Sequence, residues 1–128
     1  MKPEAADYLK KARHCLENAR GIAAAGFPDV ATREAYLAAF HAAEAYIFEQ
    51  TGKAAKTHRG VRAQFSRLAQ HESRIDTGLL TFLGEGYQFK AVADYGVGRA
   101  IDSISSDDAD SAVTTAGRFV EAIAAVLS

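Results

Sequence analysis

The feature that most constrains the fold of this chain is the helical spacing of its apolar residues. Near both ends of the chain, these residues recur in steps of three and four. The N-terminal set is Ala5, Leu9, Ala12, Leu16, Ala19 and Ala23, and the C-terminal set is Val113, Ala116, Val120, Ile123 and Leu127. Such steps place side chains on one face of an α-helix, whereas strands need an alternation that is absent here. The sequence therefore predicts an all-α fold.

Start and stop signals divide the chain into about five predicted helices. The first predicted helix begins near Pro3 and ends at Gly26, and the second lies within 27–52 with Asp29 as N-cap. The third runs from about Gly60 to His71, the fourth from about Thr77 to Tyr95, and the last begins after Ser105. Ser105 and Asp108 have the spacing of a capping box. Gly84 and Gly86 inside the fourth helix each cost up to ~1 kcal/mol relative to alanine, which predicts a break or kink. Short connections predict an antiparallel up-and-down helical bundle that forms a single domain over residues 1–128.

Composition limits the protein classes that this chain can belong to. It has 128 residues, of which 48% are hydrophobic and 24% charged, as in an ordinary soluble domain. No apolar run approaches the ~20 residues of a membrane span, and the N-terminus lacks the apolar core of an export signal. The single cysteine, Cys15, cannot form an internal disulfide and is expected to be buried as a small hydrophobe. A cytoplasmic protein without membrane contact is expected.

Charge is distributed unevenly along the chain although its net value is only −1. Residues 53–74 carry six Lys or Arg and one acid, whereas residues 100–128 carry five acids and one Arg. The balanced total argues against indiscriminate nucleic-acid binding, but the basic middle favours a local anion site. The arginines of this segment are expected on the outside of an amphipathic helix, opposite Val61, Phe65 and Leu68. There they either form a solvated face or steer an anionic partner.

Familiar catalytic motifs are absent from the sequence. His41 and Glu44 share a helix face, but a di-metal bundle needs further carboxylate and histidine ligands from other helices, so no metal is predicted. There is no phosphate-binding glycine loop and no nucleophile motif, so no cofactor is predicted.

Three local features remain as candidates for chemistry. His41 lies on one helical stripe with Arg33 and Leu37, and it is either functional or a half-buried histidine satisfied by a neighbour. His58 precedes the third helix and is either functional or bonded to nearby backbone. Lys90 and Asp94 are four residues apart and can pair, and Tyr95 follows at the helix end.

Several segments together resemble the HEPN family, in particular its small prokaryotic branch. They are "AADYLKKARHCLENAR", "ATREAYLAAFHAAEAYIFEQTGKAAKTHRGVRAQF" and "FKAVADYG". The resemblance implies a helical bundle, usually a homodimer, that is often encoded beside a minimal nucleotidyltransferase antitoxin. Many members are metal-independent RNases with an Arg followed closely by a His, and the partner can adenylylate a Tyr just past that His.

The matching segment "KAVADYG" departs from that signature. Lys90 stands at the position of the Arg, Tyr95 at that of the His, and Val97 where a modifiable Tyr is expected. A Tyr exchanges protons poorly near neutral pH, and a Lys lacks the bidentate fork that suits phosphate. The resemblance and the local features together give two groups of candidates. The catalytic candidates are Lys90, Asp94, Tyr95, His58 and His41, and the binding candidates are Arg33, Tyr36, Arg59 and Arg62.

Two functions follow from these observations, and a plain structural dimer is the third alternative. The first is a toxin-type protein of a toxin–antitoxin pair that acts on RNA, with degenerate or lost RNase activity. The second is a non-catalytic module that binds a nucleotide or docks a minimal nucleotidyltransferase.

Overall fold

The structure, a computed structural model, describes the backbone of residues 1–128 and every side chain except those of Arg99 and Ile101. The backbone forms five long helices and one short helical turn. In chain order they are α1 (Pro3–Ala24), α2 (Pro28–Thr51), α3 (His58–Ala69), α4 (Thr77–Tyr95), α5 (Arg99–Asp102) and α6 (Ser106–Leu127). No strand occurs among the described residues. The predicted all-α bundle is confirmed.

Helix α2 is the centre of the bundle and packs against α1, α3, α4 and α6. Its small side chains allow this, because seven of its alanines are fully buried. They are Ala31, Ala35, Ala38, Ala39, Ala42, Ala43 and Ala45. An alanine loses no side-chain entropy on burial and lets neighbouring helices approach closely. Larger side chains close the core around α2, and Phe119 of α6 packs against Phe65 of α3 and Phe82 of α4.

The helix ends follow local chemistry, with two corrections to the predicted starts. Helix α2 begins at Pro28 with Phe27 as N-cap, so the prediction of Asp29 as N-cap was wrong. A proline suits the first turn because its missing N–H would have no partner there. Helix α3 begins at His58 rather than near Gly60, because the Thr57 side chain accepts a hydrogen bond from the Gly60 N–H.

The predicted start of α6 and both predicted ends of α4 are confirmed, whereas the predicted break inside α4 is not. The capping box of α6 is present, with the Ser105 and Asp108 side chains each accepting from the other's backbone N–H. The predicted bounds of α4 are correct, but the helix continues without interruption through Gly84 and Gly86, so the predicted break was wrong. Tertiary packing explains why the helix accommodates Gly86, because this residue is buried against the ring of Tyr36. Cys15 is buried, as predicted.

Helices α2 and α4 run antiparallel, and this places the candidate residues. Arg33 near the start of α2 contacts Asp94 near the end of α4, while Tyr36 contacts Gly86 further back along α4. Helix α3 lies beside both and contributes His58 at its first turn. None of the helices within the described residues combines the length and apolar character needed to cross a membrane.

Candidate functional site

Asp94 joins two cations that the sequence separates widely. Its carboxylate accepts a hydrogen bond from Lys90 Nζ one turn earlier on α4 and another from Arg33 Nε on α2 at 2.8 Å. The side chains of Lys90, Asp94 and Arg33 are 14%, 21% and 38% exposed. We call these three residues the Asp94 triad. The hydrogen bond from Lys90, reinforced by Arg33, lowers the pKa of Asp94 from its ordinary value of 3.8.

An aromatic cluster surrounds His58, where α2, α3 and α4 meet. It consists of His58, Tyr36, Phe40, Arg62 and Tyr87. The Tyr36 hydroxyl and Nδ1 of His58 share a hydrogen bond of 2.9 Å, and the His58 ring stacks on Phe40 with centroids 4.2 Å apart. Tyr87 meets Tyr36 edge-on, with centroids 5.9 Å apart. These contacts fix the imidazole from two sides.

The electrostatics of the aromatic cluster favour a neutral His58. Desolvation lowers the pKa of His58 from its ordinary 6.5, and the charges of Lys90 and Arg62 lower it further. Burial raises the pKa of Tyr36, which the guanidinium of Arg62 opposes. His58 is therefore an uncharged imidazole at neutral pH, close enough to Lys90 for the two groups to influence each other.

Arg62 does not lie on the outside of α3, and that prediction was wrong. Its guanidinium carbon stands 4.0 Å from the centroid of the Tyr87 ring, and Nη1 is buried with no hydrogen-bond partner among the described residues. Arg62 follows the buried Val61, so it borders the inner face where α4 packs. A planar guanidinium over an aromatic face is a favourable cation–π pair. Arg59 is exposed and belongs neither to the aromatic cluster nor to the Asp94 triad.

His41 and Tyr95 lie at the margin of this region. Nδ1 of His41 is 2.6 Å from the Glu44 carboxylate, so His41 is satisfied by a neighbour on its own helix. Its ring meets the edge of Phe40, which connects it to the aromatic cluster. Tyr95 is 81% exposed at the end of α4. Among the described side chains, no group of three or more His, Cys, Asp or Glu is placed to hold a metal ion.

The structure thus brings together most of the candidates and adds two residues that the sequence analysis missed. Lys90, Asp94 and Arg33 meet, as do His58, Tyr36 and Arg62, and the charge of Lys90 acts on His58. The missed residues are Phe40 and Tyr87. Tyr87 lies three residues before Lys90 and Phe40 four after Tyr36, so helical spacing could have indicated both.

Comparisons with known proteins agree with this architecture. The HEPN domain family model matches residues 5–126. The fold is similar to the crystal structure of TT1696 from Thermus thermophilus, with a TM-score of 0.77 and 20% sequence identity. That similarity covers 95% of this chain and 97% of TT1696, and at this identity it supports the fold alone. No curated protein matches the sequence. Since the family model spans nearly the whole chain, the protein belongs to the HEPN domain family.

Proposed function

We propose that this protein acts on RNA as a weak, metal-independent endoribonuclease, with His58 as the proton acceptor and Lys90 and Arg33 as the phosphate-binding cations. The observation that carries the proposal is the neutral His58 imidazole beside the charge of Lys90. Cleavage of an RNA strand without a metal begins when a base removes the proton of a 2′-hydroxyl. A neutral imidazole is suited to that step near pH 7.

The Asp94 triad supports binding of a phosphodiester and also explains why activity is expected to be weak. Two cations on adjacent helices can stabilise the charge that develops on a phosphate during attack. In the free protein, however, both cations already bind Asp94. A phosphate must displace this carboxylate, and Lys90 offers it only a point charge. Asp94 therefore acts as an internal competitor for the RNA backbone.

A cleavage assay tests the proposal directly. Purified protein is incubated with a structured and an unstructured RNA in the presence of EDTA, and fragments are followed with time. We expect His58→Asn to reduce the rate by about 100-fold, the usual contribution of a general base. His71→Asn is the matched control, because His71 is exposed in the turn that follows α3. Intact RNA with the wild-type protein, or equal rates for both histidine variants, would contradict the proposal.

Substitution of the triad separates binding from cleavage. Lys90→Ala removes a cation and is expected to weaken RNA binding, whereas the exposed Lys53→Ala should have little effect. Asp94→Asn removes the competing charge while keeping the side-chain shape, so it is expected to strengthen RNA binding. If Asp94→Asn weakens binding instead, the carboxylate positions the cations rather than competing for them.

A second candidate function is favoured by the same triad. Because Lys90 and Arg33 already hold the carboxylate of Asp94 without any reaction, the site is also suited to binding an anion without cleaving it. A non-catalytic module would bind a nucleotide or an acidic surface of a partner. Titration with ATP tests this candidate, and saturable binding that Lys90→Ala abolishes, together with intact RNA in the cleavage assay, would favour it over the nuclease.

The proposal extends to a homodimer in the cytoplasm and to a toxin–antitoxin pair with a minimal nucleotidyltransferase. Its support is the family membership and the exposed apolar side chains at one end of the bundle, where Phe27 is 58% and Val97 82% exposed. Sedimentation measures whether the protein is a dimer. Expression in bacteria tests the toxin, since a growth defect should be relieved by Lys90→Ala and by co-expression of a nucleotidyltransferase, where one is encoded beside this gene. Growth that is unaffected by the wild-type protein would exclude the toxin role.

A further inference from the structure

A groove lies between α4 and α6, and none of the residues of the aromatic cluster belongs to its lining. It encloses about 260 Å³ and reaches down to Thr32 of α2. Helix α6 presents to it a stripe of polar residues spaced by three and four, namely Asp108, Ser111, Thr115 and Arg118. In a helical bundle, a face turned toward a neighbouring helix is normally apolar. This polar stripe therefore leaves the gap open instead of closing it by packing.

The floor of the α4–α6 groove is apolar and partly aromatic. Leu79, Phe82 and Phe89 of α4 line it, and Ala112 of α6 faces them. Gly86 also lines the groove, with the ring of Tyr36 packed against its backbone. A concave site with an apolar floor and a few polar groups is the usual form of a small-molecule site, and aromatic side chains are the surfaces on which planar rings stack.

The polar rim of the groove is rich in hydrogen-bond acceptors. Glu85 contributes a carboxylate from α4, and Ser111 and Thr115 contribute hydroxyls from α6. One Asp108 oxygen accepts from the Ser105 N–H, which leaves the other oxygen free of that bond. Arg118, the cation of this lining, is paired with Asp76 at 3.2 Å. The rim therefore favours a ligand that donates hydrogen bonds and carries no negative charge.

We propose that the α4–α6 groove binds a planar heterocycle bearing an exocyclic amine, of which adenine and cytosine are the common examples. The ring stacks on the floor, and the amine donates to the carboxylate and hydroxyl acceptors of the rim. Uracil has a carbonyl where cytosine has the amine, so it presents an acceptor to the carboxylates of Glu85 and Asp108, which can only accept. The groove thereby discriminates between bases by the polarity of one substituent.

The ligand can be a free nucleoside or a base within an RNA strand, and the position of the groove supports the second source. Thr32 and Phe89, which line it, directly precede Arg33 and Lys90 in the chain. A strand whose phosphate binds the Asp94 triad can pass around the C-terminal half of α4 and place a neighbouring base in the groove. This second source rests on the proposed function, whereas nucleoside binding does not.

Titration followed by NMR tests the inference on the full chain. Adenosine, cytidine and uridine are added separately, and the backbone amide signals of Gly86 and Ser111 are followed. We expect saturable shifts with adenosine and cytidine and about tenfold weaker binding of uridine, the effect of one unmatched hydrogen bond to a charged group. Ser111→Phe should fill the groove and abolish binding. Thr114→Phe is the matched control, since Thr114 is exposed on another face of α6.

Each outcome is decisive for the inference. Saturable binding that Ser111→Phe removes and Thr114→Phe retains supports it. Absence of binding at millimolar nucleoside, equal binding of uridine, or binding that survives Ser111→Phe overturns it. Glu85→Gln should weaken adenosine binding several-fold, and an unchanged affinity would remove the carboxylate from the site.

A comparison of oligoadenylate with oligouridylate then identifies the source of the base. A preference for oligoadenylate that Ser111→Phe abolishes places an RNA base in the groove, whereas equal affinity for the two strands assigns the groove to a free nucleoside. The RNA cleavage assay with His58→Asn is independent of these measurements. The proposed function can therefore stand when the groove binds nothing, and the groove can bind a nucleoside when RNA is not cleaved.

Discussion

Substitution of two glycines in one helix isolates the packing that fixes the aromatic cluster. Gly84 and Gly86 both lie inside α4, so replacing either by alanine improves helix propensity by about 1 kcal/mol. Their surroundings differ. A Cβ at Gly84 meets nothing within 4 Å, whereas a Cβ at Gly86 would lie 3.1 Å from Cδ1 of Tyr36. Tyr36 is fully buried and bonded to His58, so it has little freedom to move aside.

The expected difference in stability between the two variants follows from helix propensity and from the contact with Tyr36. Gly84→Ala is expected to raise the free energy of unfolding by about 1 kcal/mol, through propensity alone. Gly86→Ala gains the same term but overpacks the contact with Tyr36, which typically costs about 1–3 kcal/mol. The two variants should therefore differ by about 1–3 kcal/mol. For a chain of this size, the difference corresponds to a separation of roughly 4–12 °C in Tm.

Thermal and urea unfolding of the two variants measure the difference, and NMR titration of the His58 ring reports its functional consequence. Gly86→Ala should change the titration of His58 through Tyr36, and Gly84→Ala should leave it as in the wild type. If Gly86→Ala stabilises the protein as much as Gly84→Ala does, Tyr36 shifts freely. The rigid Tyr36–His58 pair would then be an incorrect description.

Three further predictions concern pH, capping and the core. Because the pKa of His58 is lowered in the folded state, the free energy of unfolding should be highest above pH 6.5 and fall as the pH drops below it. Urea unfolding at several pH values should show this, and an unchanged slope in His58→Gln would contradict it. Ser105→Ala should lower the free energy of unfolding by about 1 kcal/mol through loss of the N-cap of α6, and the neighbouring Ser106→Ala should not; equal Tm values for the two would contradict the capping role. Phe119→Ala should cost about 3–5 kcal/mol in urea unfolding, against a small change for the exposed Phe27→Ala, and a loss below about 1 kcal/mol would mean that Phe119 is not a core residue.

The parts of the fold that depend on local chemistry could be predicted from the sequence. The capping box of Ser105 and Asp108 indicated the start of α6, and the apolar periodicity indicated the faces that became buried. The predicted break in α4 failed for a non-local reason. Propensity disfavours Gly86 in a helix, but its buried contact with Tyr36, fifty residues earlier, gives the missing side chain a packing role. Tertiary contacts routinely override propensity in this way.

In the candidate site, too, contacts within one helix could be predicted and contacts between helices could not. The Lys90–Asp94 pair follows from spacing on one helix, and the sequence predicted it. Arg33 joins that pair from 61 residues away, and Tyr36 reaches His58 across 22 residues, so neither partner is visible in local spacing. Arg62 was misplaced because an amphipathic pattern shows which residues border the buried face but not which neighbouring helix will cover that border. Tyr87 of α4 covers it.

The two halves of the site are coupled by the charge of Lys90. In the free protein this charge is one cause of the lowered pKa of His58, even though Lys90 is hydrogen-bonded to Asp94. A phosphate bound to Lys90 would bring negative charge toward the imidazole and so raise its proton affinity. The neutral His58 would then be a weaker base in the empty site than when RNA is bound. In the proposed nuclease, a phosphate that enters displaces the carboxylate of Asp94, so the same event would activate His58. Cleavage would then be limited to a strand that the Asp94 triad already holds.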